Sequence, residues 1–266
     1  MRDMKMNEYV VAKTLEEAYT LLKENDSNMV VGGGAWIKMS SNKEINTLID
    51  LKDLTLNTIT SNKDAFFIGA NVTLHELELN EEIGQFYDGI VIQAIKEIMG
   101  MGIRNLATVG GSVMGRFSFS DLFAVLIALD AKLEFYHHKE VSVRDFLDDK
   151  KFDKDILLQV VIPKKEAKGY FKKVKRTALD FAILNIAIVK GGEFEIVIGA
   201  RPGIAKRAEK TCAFLQDKDI TEEVLEEAVS ILEEEMSFSN NVRGSKEYRL
   251  DLAKVYVKRG IKEVIK

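Results

Sequence analysis

Two glycine clusters interrupt otherwise apolar stretches in the first half of the chain, "VVGGGAW" at Val30–Trp36 and "ATVGGSVMG" at 107–115. Glycines in series mark backbone that must bend sharply or be approached closely, because no Cβ stands in the way. A tight turn after a buried segment explains either cluster alone. Two clusters flanked by small or hydroxyl-bearing residues favour a second account, since consecutive amides in a turn form a concave donor surface for an anion such as a diphosphate. The familiar nucleotide motifs do not fit. A Walker loop needs Gly-Lys-Ser/Thr, and the chain has none. A dinucleotide-binding fingerprint finds Gly32, Gly34 and a later Asp50, but its third glycine position is Ile37, and "SSNKE" breaks the helix that should begin there.

The periodicity around these clusters predicts alternating strands and helices. "TLEEAYTLLKE" has helical spacing of apolar residues, and Thr14 with Glu17 makes a capping-box pattern. "NMVV" and "INTLIDL" read as strands on either side of the first cluster, so the chain begins as α/β. "AFFIGAN" is a further strand, "VTLHELEL" opens a short helix, and Gly89–Met99 and Leu122–Ala131 are expected to be buried helices. "KLEFYHHKEVSV" reads as a hairpin with His137 and His138 at its turn, and "DILLQVVIP" as a strand stopped by Pro163. Beyond it "GYFKKVKR", "AILNIAIV" and "FEIVIGA" are three successive strands, followed by helices at Glu222–Met236 and Tyr248–Ile265. The expected class is α/β plus α+β, with residues 1–163 as a first domain and 164–266 as a second, a three-stranded sheet with helices.

Composition removes several function classes. A net charge of −4 without a dense basic block argues against nucleic acid. No apolar run approaches the length of a membrane span, and "MRDMKMNEYVV" lacks a signal peptide's apolar core, so a cytoplasmic protein is expected. The sequons at Asn25 and Asn71 then have no role. Cys212 is the only cysteine, which excludes an intrachain disulfide and any Cys-ligated zinc or iron–sulfur centre held by this chain alone. His75, His137 and His138 are the only histidines and assemble no triad or metal set, so neither a catalytic residue nor a metal ligand is assigned.

The order "VVGGGAW", "IGANVTLHEL" and "IRNLATVGGSVMGRFSFSDLFAVLIALDA" resembles the FAD-binding medium subunit of the molybdenum hydroxylases, a family that includes xanthine dehydrogenase and the aerobic-type carbon monoxide dehydrogenase flavoprotein subunits. The resemblance continues through "GYFKKVKRTALDFA" and "NNVRGSKEYRLDLAKVYVKRGI" and so covers nearly the whole chain. It implies a two-part FAD-binding domain of the molybdopterin dehydrogenase type. Carried over by position, the first FAD loop falls on Val30, Val31, Gly32, Gly33, Gly34, Ala35, Trp36 and Ile37, whose amides would hold the diphosphate. Thr108, Gly110, Gly111 and Ser112 would line the flavin and diphosphate side of the second loop. Asp121 would bind a hydroxyl of the cofactor's sugar, and Ile98 would lie against the flavin ring. Leu157, by its backbone, and Lys172, by its side chain, would make further contacts. Three positions depart from the family pattern: Ser112 stands for an asparagine, Ser118 for a proline and Arg116 for a small residue.

The resemblance therefore implies an electron-transfer subunit. Reducing equivalents from a molybdopterin subunit would pass through the clusters of an iron–sulfur subunit to FAD, and from FAD to NAD or another acceptor. A purine such as xanthine is the first expected substrate of the whole complex, with nicotinate and carbon monoxide as alternatives. A stand-alone FAD oxidoreductase and a non-catalytic nucleotide-binding or assembly module are the competing readings. For Arg243 and Arg249 a packing role is expected.

Overall fold

The computed structural model describes residues 5–37, 44–201 and 203–266, so positions 40–43 of the "SSNKE" break lie outside the described residues. Contacts divide the chain into two compact units, and the division does not follow chain order. One unit holds the described residues up to Leu77, with Gly100–Gly115 and Lys132–Ile162; the other holds Glu78–Met99, Arg116–Ala131 and Pro163–Lys266.

The first unit begins with a three-stranded parallel sheet in the order β1-β3-β2, built from β1 (Lys5–Val11), β2 (Met29–Val31) and β3 (Glu44–Asp50). Helix α1 (Leu15–Glu24) connects β1 to β2. Its N-terminus is capped as the sequence predicts: Thr14 Oγ1 accepts the Glu17 N–H at 3.1 Å, and the Glu17 carboxylate accepts the Lys13 N–H at 2.7 Å. The first bond satisfies an amide that the opening helical turn leaves without a partner, and the second ties the residue before the cap back to the helix. Ala18 and Leu22 of α1 pack with Ala12, Ile49 and Leu51 into a small core.

A five-stranded sheet in the order β4-β5-β8-β6-β7 completes this unit, from β4 (Ile59–Ser61), β5 (Ala65–Gly69), β6 (Lys132–Phe135), β7 (Lys139–Ser142) and β8 (Leu157–Pro163). Strands β6 and β7 form the expected hairpin, with His137 and His138 in its turn. Short helices α2 (Leu74–Glu78), α5 (Met101–Arg104), α6 (Val109–Met114) and α8 (Val143–Asp148) fill the connections.

The second unit is a four-stranded antiparallel sheet, β12-β11-β10-β9, of β9 (Lys168–Val174), β10 (Leu184–Lys190), β11 (Phe194–Gly199) and the two-residue edge strand β12 (Lys206–Arg207). The three long strands are those the sequence predicts. On one face lie α9 (Glu209–Leu215), α10 (Glu222–Glu235) and α11 (Lys246–Val264), which bury Leu184, Ile186 and Ile188 of β10 with Phe194, Ile196 and Ile198 of β11. On the other face lie α4 (Ile90–Lys96) and α7 (Asp121–Ala128), and α3 (Glu81–Gln85) precedes α4. Covered on both faces, β10 is buried at every residue but its last, which accounts for its unbroken apolar run. Arg249 is fully buried and donates to the carbonyls of Ile183, Ser239 and Gly244 and to Asn241 Oδ1, the packing role expected of it. Among the described residues no helix is long and apolar enough to cross a membrane.

Candidate functional site

In the first unit the two glycine clusters are brought together. The first follows β2, whose entry is held by Asn28: its Oδ1 accepts the Thr47 N–H at 3.0 Å and its Nδ2 donates to the Leu21 carbonyl at 2.6 Å. Lys154 Nζ donates to the carbonyls of Asn25, Asp26 and Asn28, closing the turn before the strand. The loop then leaves β2 with Gly32 and Gly33 exposed and Gly34 at φ +71°, in the left-handed region that favours glycine.

The second cluster is docked on the "IGANVTLHEL" segment by a series of backbone bonds. The Val109 and Gly110 N–H groups donate to the Val72 and Ala70 carbonyls, and the Leu74 N–H donates to the Ala107 carbonyl, each at 2.8 Å. Steric fit joins the two clusters. A Cβ on Gly32 would collide with Thr108 Oγ1, and one on Gly33 with the Leu106 carbonyl. One on Gly110 would come within 2.8 Å of Ala70. Gly33 and Gly110 permit close approach to a neighbouring backbone, and Gly32 makes room for the Thr108 side chain.

The clusters differ in what they offer a ligand. The second is a helix, where a turn of free amides was expected. Thr108 caps α6, its Oγ1 accepting the Gly111 N–H at 3.0 Å, and the Ser112 N–H donates to the Thr108 carbonyl at 2.9 Å. With Gly110 bonded to Ala70, all three amides are committed to protein acceptors, and the Ser112 hydroxyl donates to the Thr108 carbonyl as well. What Thr108, Gly110, Gly111 and Ser112 supply is a close-packed wall, with Gly111 exposed on it. In the first cluster the amides of Gly33, Gly34 and Ala35 have no protein acceptor among the described residues. Backbone donors without acceptors, around a left-handed glycine, are the chemistry a diphosphate requires. Val30 and Val31 are the strand that carries the loop, and Trp36 and Ile37 close it, the Ile37 N–H donating to the Gly34 carbonyl at 3.3 Å. Leu157 is buried in β8, opposite Phe135, where the register of the β6–β8 ladder shifts.

The remaining sequence-predicted residues lie in the second unit. Asp121, expected to meet a sugar hydroxyl, is 4% exposed and has both oxygens engaged: Lys173 Nζ lies 2.7 Å from Oδ2, and Asn185 Nδ2 donates to Oδ1 at 2.8 Å. Burial pushes its carboxyl above the ordinary range, with the Lys173 ammonium and the Asn185 amide opposing that shift. Lys172 points away from this pair. Successive residues of a strand face opposite sides, and the Lys172 ammonium stands over the Tyr256 ring of α11, 5.6 Å from its centroid. The lysine on the Asp121 side is its neighbour Lys173, which the sequence reading missed; the doublet in "FKKV" was the only signal for it. Lys173 Nζ also donates to the Glu97 carbonyl at 2.9 Å, one residue before Ile98, which is half-buried. Arg116, where the family pattern has a small residue, adopts φ +46°, a conformation a residue without a bulky side chain holds with less strain.

Residues 4–165 match the family model described as the FAD binding domain in molybdopterin dehydrogenase, and residues 169–264 match the CO dehydrogenase flavoprotein C-terminal domain. The glyceraldehyde dehydrogenase medium chain of Sulfolobus acidocaldarius is 27% identical over 96% of this chain and 97% of its own length. The xanthine dehydrogenase FAD-binding subunit of Escherichia coli O157:H7 is also 27% identical, over 97% of this chain and 95% of its own. In fold, the carbon monoxide dehydrogenase chain from Hydrogenophaga pseudoflava, solved without the Mo-pyranopterin moiety, superposes with a TM-score of 0.90 at 22% identity, covering 99% of this chain and 98% of that one. These matches run nearly the length of the chain, and the chain belongs to the FAD-binding flavoprotein subunits of the molybdenum hydroxylase family.

Proposed function

We propose that this chain holds FAD in the first glycine loop and passes electrons within a molybdenum hydroxylase, receiving them from an iron–sulfur subunit that is itself reduced by a molybdopterin subunit. The observation that carries this reading is the set of unclaimed amides at Gly33, Gly34 and Ala35, on the segment where the family places the diphosphate. The wall made by Thr108, Gly110, Gly111 and Ser112 stands beside that loop. FAD supplies the ability to take electrons singly and deliver a hydride; the protein supplies position and surroundings. NAD is the acceptor we assign and a purine such as xanthine the substrate of the complex, consistent with the relative from Escherichia coli. The division at residues 163/164, into an FAD-binding domain and a C-terminal flavoprotein domain, and a cytoplasmic location belong to the same proposal.

Neither glycine cluster contains a His or Cys to tether the flavin, so FAD is bound non-covalently. Heat denaturation of the purified protein should release one FAD per chain into the supernatant, identified by its absorption and chromatographic mobility. FMN, flavin retained in the precipitate or no flavin uptake on reconstitution would overturn the reading. At free FAD a hundred times its dissociation constant, linkage contributes about 2.7 kcal/mol of stability, and a rise in Tm of a few degrees should be measured.

A further inference from the structure

Upstream of the first glycine loop, one ammonium gathers three carbonyls. Lys154 is half-buried, and its Nζ donates to the carbonyls of Asn25, Asp26 and Asn28 at 3.2, 2.5 and 3.0 Å. An ammonium has three N–H donors and no acceptor, so donors and carbonyls here are equal in number. The three oxygens converge directly after α1, at the helix end whose dipole favours a cation. Without a cation between them their dipoles repel, and the turn would open. Lys154 is itself held from behind. The side chain of its neighbour Asp155 has no exposure and accepts the N–H groups of His137, His138 and Ile156, which ties this segment to the β6–β7 turn. The clamped turn leads straight into β2, which is only three residues long and ends where the glycine loop begins. Downstream, Gly32 and Gly33 press on Thr108 and Leu106. The free amides of Gly33, Gly34 and Ala35 therefore follow a strand whose entry Lys154 holds, and all of these residues belong to the first unit.

We propose that Lys154 is a positioning residue for the anion-binding loop: by clamping the turn at 25–28 it sets where β2 starts, and so where the Gly33, Gly34 and Ala35 amides point. It acts through the backbone, from the far end of the strand. The ladder with β3 pairs Met29 with Leu48, Val30 with Ile49 and Val31 with Asp50, which fixes register along β2 and leaves its entry to the turn. The proposal rests on the reading that these amides receive a diphosphate. A clamp that served folding alone would change stability and leave the loop's affinity for an anion as it is.

The test uses the full chain with ADP as the probe, because ADP carries a diphosphate without a flavin ring. Lys154→Met keeps much of the stem and removes the charge. Lys154→Arg keeps the charge, but its planar fork cannot converge on three carbonyls. Titrated well below the Tm of each variant, ADP should bind at least tenfold more weakly to Lys154→Met, about 1.4 kcal/mol, and about threefold more weakly to Lys154→Arg. In isotope-labelled apoprotein the amide resonances of Gly33, Gly34 and Ala35 should move in both variants. Lys23→Met, which breaks a neighbouring exposed pair with Asp153, should do neither. Wild-type ADP affinity in folded Lys154→Met overturns the proposal, and if that variant does not fold, wild-type affinity in Lys154→Arg overturns it instead. An equal loss in Lys23→Met also overturns it, since any disturbance near α1 would then suffice. A wild-type chain that binds neither ADP nor FAD sinks the cofactor reading and this proposal together. One that binds ADP but no FAD sinks only the cofactor reading, and unchanged variants of a chain that binds both sink only the clamp.

Discussion

The glycines of the two clusters separate by what a Cβ would meet. Gly33 and Gly110 have backbone or Cβ atoms of a neighbouring segment directly in the way, at Leu106 and Ala70 respectively. Gly111 is exposed, has no positive φ, and would meet only Thr108 Oγ1 at 3.1 Å. Gly111→Val should therefore fold, with stability within about 1 kcal/mol of wild type, while its branched side chain fills the space beside the first loop and lowers FAD uptake at least tenfold. Gly33→Ala should instead cost about 1–3 kcal/mol through overpacking, seen as a lower Tm without cofactor. Flavin content and apo Tm measured on both variants separate the two roles; wild-type flavin content in Gly111→Val would reduce that wall to packing. Asp121 is a third case. Asp121→Ala leaves the Lys173 ammonium buried without its counter-charge, a loss of about 3–5 kcal/mol. Denaturant unfolding should show this in the apoprotein, before any effect on FAD is considered.

Elements explain why some of this was legible in the sequence and some was not. Helix α1, the β6–β7 hairpin and strands β9–β11 follow from local signals: a Thr14 cap, a turn between short apolar strands, and apolar runs bounded by turns. Helix α6 gave the opposite signal, because Gly110 and Gly111 each disfavour a helix by about 1 kcal/mol relative to alanine. It forms because Thr108 caps it and the Ala70 and Val72 carbonyls take its first amides, partners set by distant sequence. Strand β9 hid its polarity in the same way. With helices on both faces of the sheet, nothing in "GYFKKVKR" says which lysine faces Asp121, and only the pairing of Lys173 with Asn185 settles it. Helix α9 offers a direct check on this packing. Its Cys212 is buried, and burial pushes the thiol from its ordinary 9.0 up to about 12 despite the nearby Arg207. The unfolded chain loses that proton first, so the stability the neutral thiol contributes is intact below pH 9 and is lost as pH rises from about 9 toward 12, by about 1.4 kcal/mol per pH unit. Cys212→Ser should flatten this alkaline fall in an unfolding series, and the native thiol should resist alkylation at pH 8. Rapid labelling of the folded protein would show that α9 does not cover it.

At the scale of the whole chain, the question is where electrons enter. A flavin subunit turns over only if something reduces the flavin, and even a two-iron cluster is ordinarily held by four protein ligands, most often thiolates. This chain has one cysteine, and it is buried. Among the described residues no group of three His, Cys, Asp or Glu side chains is placed to hold a metal ion. The relatives that match it along its length are called a medium chain and an FAD-binding subunit, names that describe parts of larger assemblies. The isolated chain reconstituted with FAD should therefore reduce an artificial dye with NADH slowly, the last electron transfer run backwards, and should not oxidise xanthine or another hydroxylase substrate. Adding an iron–sulfur subunit and a molybdopterin subunit should yield a stable complex by size-exclusion chromatography and restore substrate-dependent reduction of the flavin. Both activities can be assayed on one preparation before and after assembly. Substrate oxidation by the chain alone would establish a stand-alone flavoenzyme, and a flavin that NADH never reduces would remove NAD as the acceptor while leaving the rest of the electron path in place.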